Sequence, residues 1–481
     1  MGTSFFRLLR YLGVEVDIGL VPAVILGIAE LVALLSVPSV LLQRRGRPQA
    51  ALAWLLALFA FPLGGIFAWW LFGRTHLRRK RRSRTKSTKV FRERQQHMAR
   101  CEEGTALDGL GPARAFGRTV WVSQGNDVRL LINGRSAFPE MERAIAAARH
   151  TIHVLYYIWN DDATGRRIRD LLAERARAGC KVRVLVDAVG SSHFLGKFAD
   201  PLRAAGAHVA AFLPPRFRGL RAPAFNFRNH RKILVVDHEV AFTGGMNIGD
   251  EYAYEWLDIS LSLRGPAVGA LEHVLLEDWF FATGEHVAEV EPAPVSLPCK
   301  VTCAVIASGP DAVDEWIHDA FFVALTRAER RIWLATPYFI PSHALTVALR
   351  TAAARGVDVR IVVPARSDVR LVRWASRAYY RELLLAGAHI FEYEGQMLHA
   401  KALVVDDNLA VIGTANVDNR SFKLNFEIGC FLHSEALNRE LARWHEETVA
   451  DSLRVRPRDL AHEPVLQTLR ESAAHLLSPL L

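Results

Sequence analysis

From Ile18 to Leu42 the chain carries one charged residue, Glu30, and from Ala50 to Phe72 it carries none. A helix rises ~1.5 Å per residue, so each run is long enough to cross a hydrocarbon core of about 30 Å. Only seven residues, Gln43 to Gln49, separate them. This spacing predicts a transmembrane helical hairpin with spans over 18–42 and 50–72, and a second span so close behind the first argues against a cleaved signal peptide. Glu30 is costly in hydrocarbon without a partner or access to water, so it is expected at a helix contact or a polar path. Phe5, Phe6, Leu8, Leu9 and Leu12 beside Arg7 and Arg10 suggest a short interfacial helix over 3–12.

Beyond the anchor the pattern changes to short β-branched runs alternating with Ala- and Arg-rich stretches, and it repeats. Residues 177–186 (RAGCKVRVLV) match 354–363 (ARGVDVRIVV), and 202–209 (LRAAGAHV) match 383–390 (LLLAGAHI). In each copy a helical stretch ends at a glycine and gives way to a buried strand. The fold class is therefore α/β: two similar lobes sharing one site, over 115–288 and from 300 to the end, with a helical tail after about 450. Residues 1–73 form the anchor and 74–114 a basic juxtamembrane segment. Residues 289–299, with three prolines, read as a linker. An additional Pro-, Phe- and Arg-rich loop, 213–229, is expected to overhang the site.

Charge adds orientation. The formal net charge is +10, which calls for an anionic partner without choosing among nucleic acid, membrane and phosphate-bearing substrate. Nine Lys or Arg residues lie between Arg74 and Lys89 with no acid among them. By the positive-inside tendency this cluster and all that follows stay cytoplasmic, although Arg44, Arg45 and Arg47 in the turn oppose that assignment. The cluster also suits anionic lipid. The five cysteines are scattered without paired spacing and read as reduced thiols, not as a metal site.

Each lobe carries one constellation of polar residues. His230, Lys232 and Asp237 precede Gly244, Gly245 and Asn247; His399, Lys401 and Asp406 precede Gly413, Thr414 and Asn416. The His-to-Asn offset is 17 in both copies, and Asp258 and Glu427 each stand 28 residues after their histidine. On a strand, residues i and i+2 share a face, so each His–Lys pair addresses one phosphate. The small residues allow close backbone approach, with Asn247 and Asn416 pointing inward as phosphate ligands. Face to face, the lobes supply two histidines for nucleophilic and general acid–base work, and two lysines and two asparagines for transition-state charge. No metal and no cofactor is needed. Asp258 and Glu427 are expected to orient the histidines, each within hydrogen-bond reach of the ring in its own lobe. Asp237 and Asp406 complete the catalytic motif by sequence, but five residues beyond a lysine they fall at the strand end and read as structural. His153, His208, His318 and His389 lack a repeated lysine and read as packing.

The paired His-x-Lys-x4-Asp motifs resemble those of the phospholipase D superfamily. The strings WWLFGR (69–74), GGMNIGDEY (244–252), WLD (256–258), SGPD (308–311), TPYFIP (336–341), GTANVDNRSF (413–422) and LNFE (424–427) are similar to the bacterial cardiolipin synthases. That resemblance implies two lobes around a shared site and a phosphohistidine intermediate. It also implies phosphatidylglycerol as both phosphatidyl donor and acceptor, with His230 as nucleophile, at the bacterial inner membrane. Water as acceptor, as in a hydrolytic phospholipase D, or another phosphatidyl acceptor such as serine remains open on the same residues. A nuclease fits less well, because the basic residues gather beside the apolar spans and no aromatic-interleaved basic stripe is present. No nucleic-acid partner is expected. Intact motifs in both lobes argue against a non-catalytic scaffold.

Overall fold

The computed structural model describes residues 20–44, 48–73, 120–214, 227–287, 301–312, 315–461 and 464–478. The interfacial helix over 3–12, the basic cluster at 74–89, the linker and most of the loop over 213–229 lie outside the described residues. The chain divides into two compact units, one N-terminal and one holding both lobes.

In the N-terminal unit, α1 runs over Leu20–Gln43, α2 over Pro48–Ala60 and α3 over Pro62–Ala68, continued by a π-turn at Trp69–Gly73. Residues Val24–Gln43 of α1 are long and apolar enough to cross a membrane. The continuous second helix expected over 50–72 is instead interrupted at Phe61. Pro62 has no N–H to continue the helical ladder and disfavours helical geometry in the residue before it, and Phe61 accordingly sits at φ −134°, ψ 70°.

The lobes form because their strands are apolar and β-branched while their connections end in glycine. Gly179, Gly206, Gly356 and Gly387 all take positive φ at the helix-to-strand turns that the repeat marks, a conformation glycine adopts without steric cost. Seven strands build the first lobe: β1 (Val120–Ile132), β2 (Thr151–Tyr156), β3 (Lys181–Asp187), β4 (His208–Phe212), β5 (Ile233–Val236), β6 (Val240–Gly244) and β7 (Ile259–Arg264). The second lobe repeats them as β8 (Val301–Ser308), β9 (Arg331–Ala335), β10 (Asp358–Pro364), β11 (His389–Tyr393), β12 (Ala402–Val405), β13 (Leu409–Gly413) and β14 (Asn425–His433). It adds β15 (Ser452–Val455) at its edge.

Among the described residues these strands join in one sheet, ordered β15-β11-β10-β9-β12-β13-β14-β8-β1-β7-β6-β5-β2-β3-β4. The order reads the same outward from the β8–β1 junction in both directions, apart from β15, so the lobes are related by a pseudo-twofold axis. At the junction β1 pairs antiparallel with β8 from Val120↔Ile306 to Asn126↔Val301. After an irregularity between Ser123 and Asn126 it passes to β7, from Asp127↔Arg264 to Ile132↔Ile259. Each lobe keeps its own apolar core, one around Ile152, Val184, Leu234 and Phe242, the other around Ile332, Ile361, Leu403 and Val411.

Candidate active site

His230 and Lys232 lie on extended chain between a two-residue strand, Arg228–Asn229, and β5. His399 and Lys401 likewise lie between Met397–Leu398 and β12. The two His–Lys pairs thus precede the buried strands rather than sitting on them, but the alternation expected of a strand still holds. Arg231, between His230 and Lys232, points the other way: its guanidinium bonds Asp278 at 2.6 Å, the Ser308 carbonyl at 3.0 Å and the Glu427 carbonyl at 3.1 Å. It is 2% exposed, and two of those three partners belong to the second lobe. Arg231 therefore ties the lobes together.

Those short strands decide which groups meet. Arg228–Asn229 pairs with Asn425–Phe426 of the second lobe, and the His230 N–H donates to the Phe426 carbonyl at 2.9 Å. Met397–Leu398 pairs with Trp256–Leu257 of the first lobe, and the His399 N–H donates to the Leu257 carbonyl at 2.8 Å. Each histidine is docked beside the residue that precedes the other lobe's carboxylate. As a result His230 Nδ1 lies 3.0 Å from Glu427 Oε1, and His399 Nδ1 lies 2.6 Å from Asp258 Oδ2. The expectation that each carboxylate serves its own lobe's histidine is corrected: the pairs cross the lobe boundary, because the histidines are carried there by backbone pairing between lobes.

Both lysines turn back on their own segments. Lys232 Nζ donates to the His230 carbonyl at 2.8 Å and lies 5.3 Å from the centre of the Tyr157 ring. Lys401 Nζ donates to the His399 carbonyl and lies 2.9 Å from both ring nitrogens of His399. Asn247 accepts from the Ile158 N–H at 3.1 Å. Asn416 Oδ1 is buried without a hydrogen-bond donor, an acceptor left over at the site.

Asp237 and Asp406 do not join this cluster. At positive φ, Asp237 accepts from the N–H groups of Arg149, His150 and Thr151. Asp406 does the same with Glu329, Arg330 and Arg331. They lie at the far ends of β5 and β12 from the lysines and fix the loops that start β2 and β9, a structural place rather than a catalytic one. His153 is paired with Glu272 at 2.7 Å, His318 with Ser342 at 2.8 Å, and His389 with Arg454 at 2.9 Å, all outside the site. His208 is exposed.

The charges interact strongly because the site is buried. Desolvation pushes His230 down to about 4, against the pull of Glu427. Burial, then the cations of Lys401 and Lys232, holds His399 well below the usual imidazole range. Burial also brings Lys232 down to about 7 and Lys401 to about 8. The two carboxylates part company. Burial pushes Asp258 up to about 7, whereas Glu427 is held below its ordinary value despite burial, by His230, Lys232 and the Thr414 hydroxyl. The unlike pair Gly245 and Thr414 of the duplicated motif accounts for part of this. Thr414 Oγ donates to Glu427, and Asn425 adds a second donor at 3.0 Å. At Gly245, the counterpart of Thr414, a Cβ would fall 2.1 Å from Asp258 Oδ1, so no hydroxyl can stand there.

Three aromatic residues close on the imidazoles. Tyr157 meets the His230 ring edge to face at 4.8 Å between centres, while Trp256 and Tyr252 lie 5.0 and 5.7 Å from His399. Sequence reasoning missed them. Only Trp256 left a signal, since it stands two residues before Asp258 and so shares its face in an extended chain.

A pH profile follows from these shifts. Free enzyme loses the lysine cations as pH rises through about 7 to 8, so kcat/KM is expected to fall there. An anion bound between them would stabilise both ammonium groups, so kcat should hold to higher pH. Rate measurements across pH at low and at saturating substrate check this; coincident alkaline limbs for the two parameters would contradict it.

Two lobes related by a pseudo-twofold, each giving one His and one Lys to a common site, define a phospholipase D-like phosphoryl-transfer enzyme. The comparisons narrow this. Residues 141–279 and 322–449 match the family described as cardiolipin synthase, phospholipase D-like domain, and residues 31–74 match the phospholipase D-nuclease N-terminal family. The chain is 38% identical over 455 residues to a cardiolipin synthase of Geobacillus kaustophilus, covering 90% of this chain and 89% of that one. It is also 38% identical to cardiolipin synthase 2 of Bacillus cereus, covering 90% and 87%. A phosphatidylserine synthase of Haemophilus influenzae, at 14% identity, shares the fold with a TM-score of 0.60 over 78% of this chain and all of that one. The chain belongs to the cardiolipin synthase family of the phospholipase D superfamily, and it is a phosphatidyltransferase acting on phospholipid at a membrane.

Proposed function

We propose that the chain joins two phosphatidylglycerol molecules into cardiolipin and releases glycerol, through a phosphohistidine at His230. The observation that carries this is the crossed arrangement of two imidazoles, each held at Nδ1 by a carboxylate of the opposite lobe, with both lysines beside them.

The unequal carboxylates divide the roles. Glu427, kept ionised, accepts the Nδ1–H of His230 and leaves the Nε2 lone pair free to attack phosphorus. Asp258, protonated more readily, donates to Nδ1 of His399 and places that ring's proton on Nε2. In the first step the His230 Nε2–P bond forms as the P–O bond to glycerol breaks, and His399 gives its Nε2 proton to the departing alkoxide. The Asp258 proton moves toward Nδ1 to compensate. In the second step the hydroxyl of an incoming phosphatidylglycerol gives its proton to His399 Nε2. Its oxygen bonds phosphorus, and the P–N bond breaks. Lys232, Lys401, Asn247 and Asn416 stabilise charge on the non-bridging oxygens. The protein works in the bacterial cell membrane with its catalytic lobes on the cytoplasmic face.

Purified enzyme incubated with phosphatidylglycerol should yield cardiolipin and glycerol in equal amounts by mass spectrometry. Phosphatidic acid as the sole lipid product would replace this reading with hydrolysis, and a new lipid only when another alcohol is added would replace the acceptor.

A further inference from the structure

We propose that residues 48–73 do not cross the membrane but enter it as a re-entrant helical pair and leave by the face they entered, so that α1 is the single span. Both basic clusters, in the turn and after Gly73, then face the anionic headgroups of one leaflet. This inference rests on a membrane location and not on the reaction.

The pair is too short for anything else. The 13 residues of α2 rise ~20 Å and the return from Pro62 to Gly73 no more, against about 30 Å of hydrocarbon. It also doubles back. A Cβ on Gly65 would lie 2.3 Å from the Ala57 carbonyl, where eight residues of straight helix would put about 12 Å between them. Farther from the bend, Trp54 of α2 and Trp69 of the return stack edge to face at 5.3 Å. At the open end, Arg44, just past α1, donates to the Gly73 carbonyl at 3.1 Å, and its guanidinium lies 5.9 Å from the Trp69 ring centre. The chain therefore returns at Gly73 to the level at which it left α1.

The bend suits hydrocarbon. Phe59, Phe61 and Leu63 surround it, with Phe61 69% exposed, and its backbone is satisfied internally by Phe61 N–H to Ala57 O at 3.1 Å and Gly65 N–H to Phe61 O at 2.6 Å. On α1 the buried residues Ala29, Ala33, Ser36 and Val40 recur at helical spacing. Ala33 and Val40 pack with Leu58 and Trp69 of the pair, and small side chains of this kind let helices approach closely in lipid. The outward residues Ile28, Leu31, Leu35, Leu52, Leu56 and Phe67 are apolar and exposed, as contact with acyl chains requires.

This geometry removes the conflict posed by the turn arginines, while Arg7 and Arg10, with Glu15 and Asp17 close by in sequence, fall on the opposite side. In a two-span hairpin Arg44, Arg45 and Arg47 lie across the membrane from the cluster at 74–89. In a re-entrant arrangement all of them share the cytoplasmic leaflet.

Thr3→Cys, Arg45→Cys, Gly46→Cys and Ser87→Cys, each in the full chain carrying Cys101→Ser and Cys299→Ser, test the arrangement, because Cys180, Cys303 and Cys430 are buried. Each is expressed in bacterial cells and exposed to a membrane-impermeant maleimide before and after permeabilisation. Lipid-transfer activity of each variant, and minimal labelling of the parent, confirm the folded protein. Positions 45, 46 and 87 should label only after permeabilisation, and position 3 in intact cells. Positions 3 and 87 labelling alike with 45 and 46 opposite would overturn the proposal in favour of two spans. All four labelling alike would overturn it by removing the span through α1.

Discussion

His230→Ala and His399→Ala are each expected to lower transfer by ~100-fold or more, the least that loss of positioned nucleophilic or acid–base catalysis costs. The protein should stay folded and membrane-bound. The histidines act as one unit, so the double variant should be scarcely worse than either single one. Neither ring supports the core: His230 is half-buried and His399 packs against Trp256 and Tyr252 at the site rather than within a lobe. Product formation per folded enzyme, with thermal unfolding as a control, measures the effect. A single variant keeping more than about a tenth of the activity would contradict a shared site. Phosphatidyl-enzyme trapped from labelled lipid should vanish in His230→Ala, and its persistence there would move the nucleophile to His399.

The second large effect concerns the crossed carboxylates. Glu427→Gln and Asp258→Asn should each lower kcat by ~10- to 100-fold with little change in KM, since an amide can hold the ring but can neither stabilise the positive charge that forms on His230 nor pass a proton to Nδ1 of His399. Nitrogen NMR of labelled histidine in detergent then tells which ring each carboxylate serves. Asp258→Asn should shift His399 and leave His230 nearly unmoved, and Glu427→Gln the reverse. The opposite pattern would refute the crossing. Thr414→Val should act in the direction of Glu427→Gln but more weakly, because the Thr414 hydroxyl is one of several groups holding Glu427 ionised.

The polar residues that make the site were legible because duplication wrote them twice at the same offsets. His230, Lys232, His399 and Lys401 converge as the repeat suggests. The partner of each carboxylate was not legible. An offset of 28 counts residues within one copy, whereas the pairing of Asn229 with Phe426 and of Leu398 with Leu257 exists only between copies. The difference between Gly245 and Thr414 takes its meaning only from Asp258, which lies where a side chain at 245 would go. Tyr157 follows an apolar strand and left no mark of its own. In the anchor, hydropathy from Ala50 to Phe72 is continuous, so a reading by length alone passes over Pro62, where the backbone and not the polarity changes.

The sheet that runs unbroken through the lobe boundary limits how the enzyme can move. A hinge between the lobes would have to part the β1–β8 ladder from Val120↔Ile306 to Asn126↔Val301, strip Arg231 from its second-lobe carbonyls, and separate both imidazoles from their carboxylates. Clamshell opening would dismantle the catalyst each time it exchanged a lipid. On the proposed reaction, glycerol therefore leaves and the second lipid enters with the lobes still joined, and any gating falls to loops and side chains such as Tyr157 and Trp256.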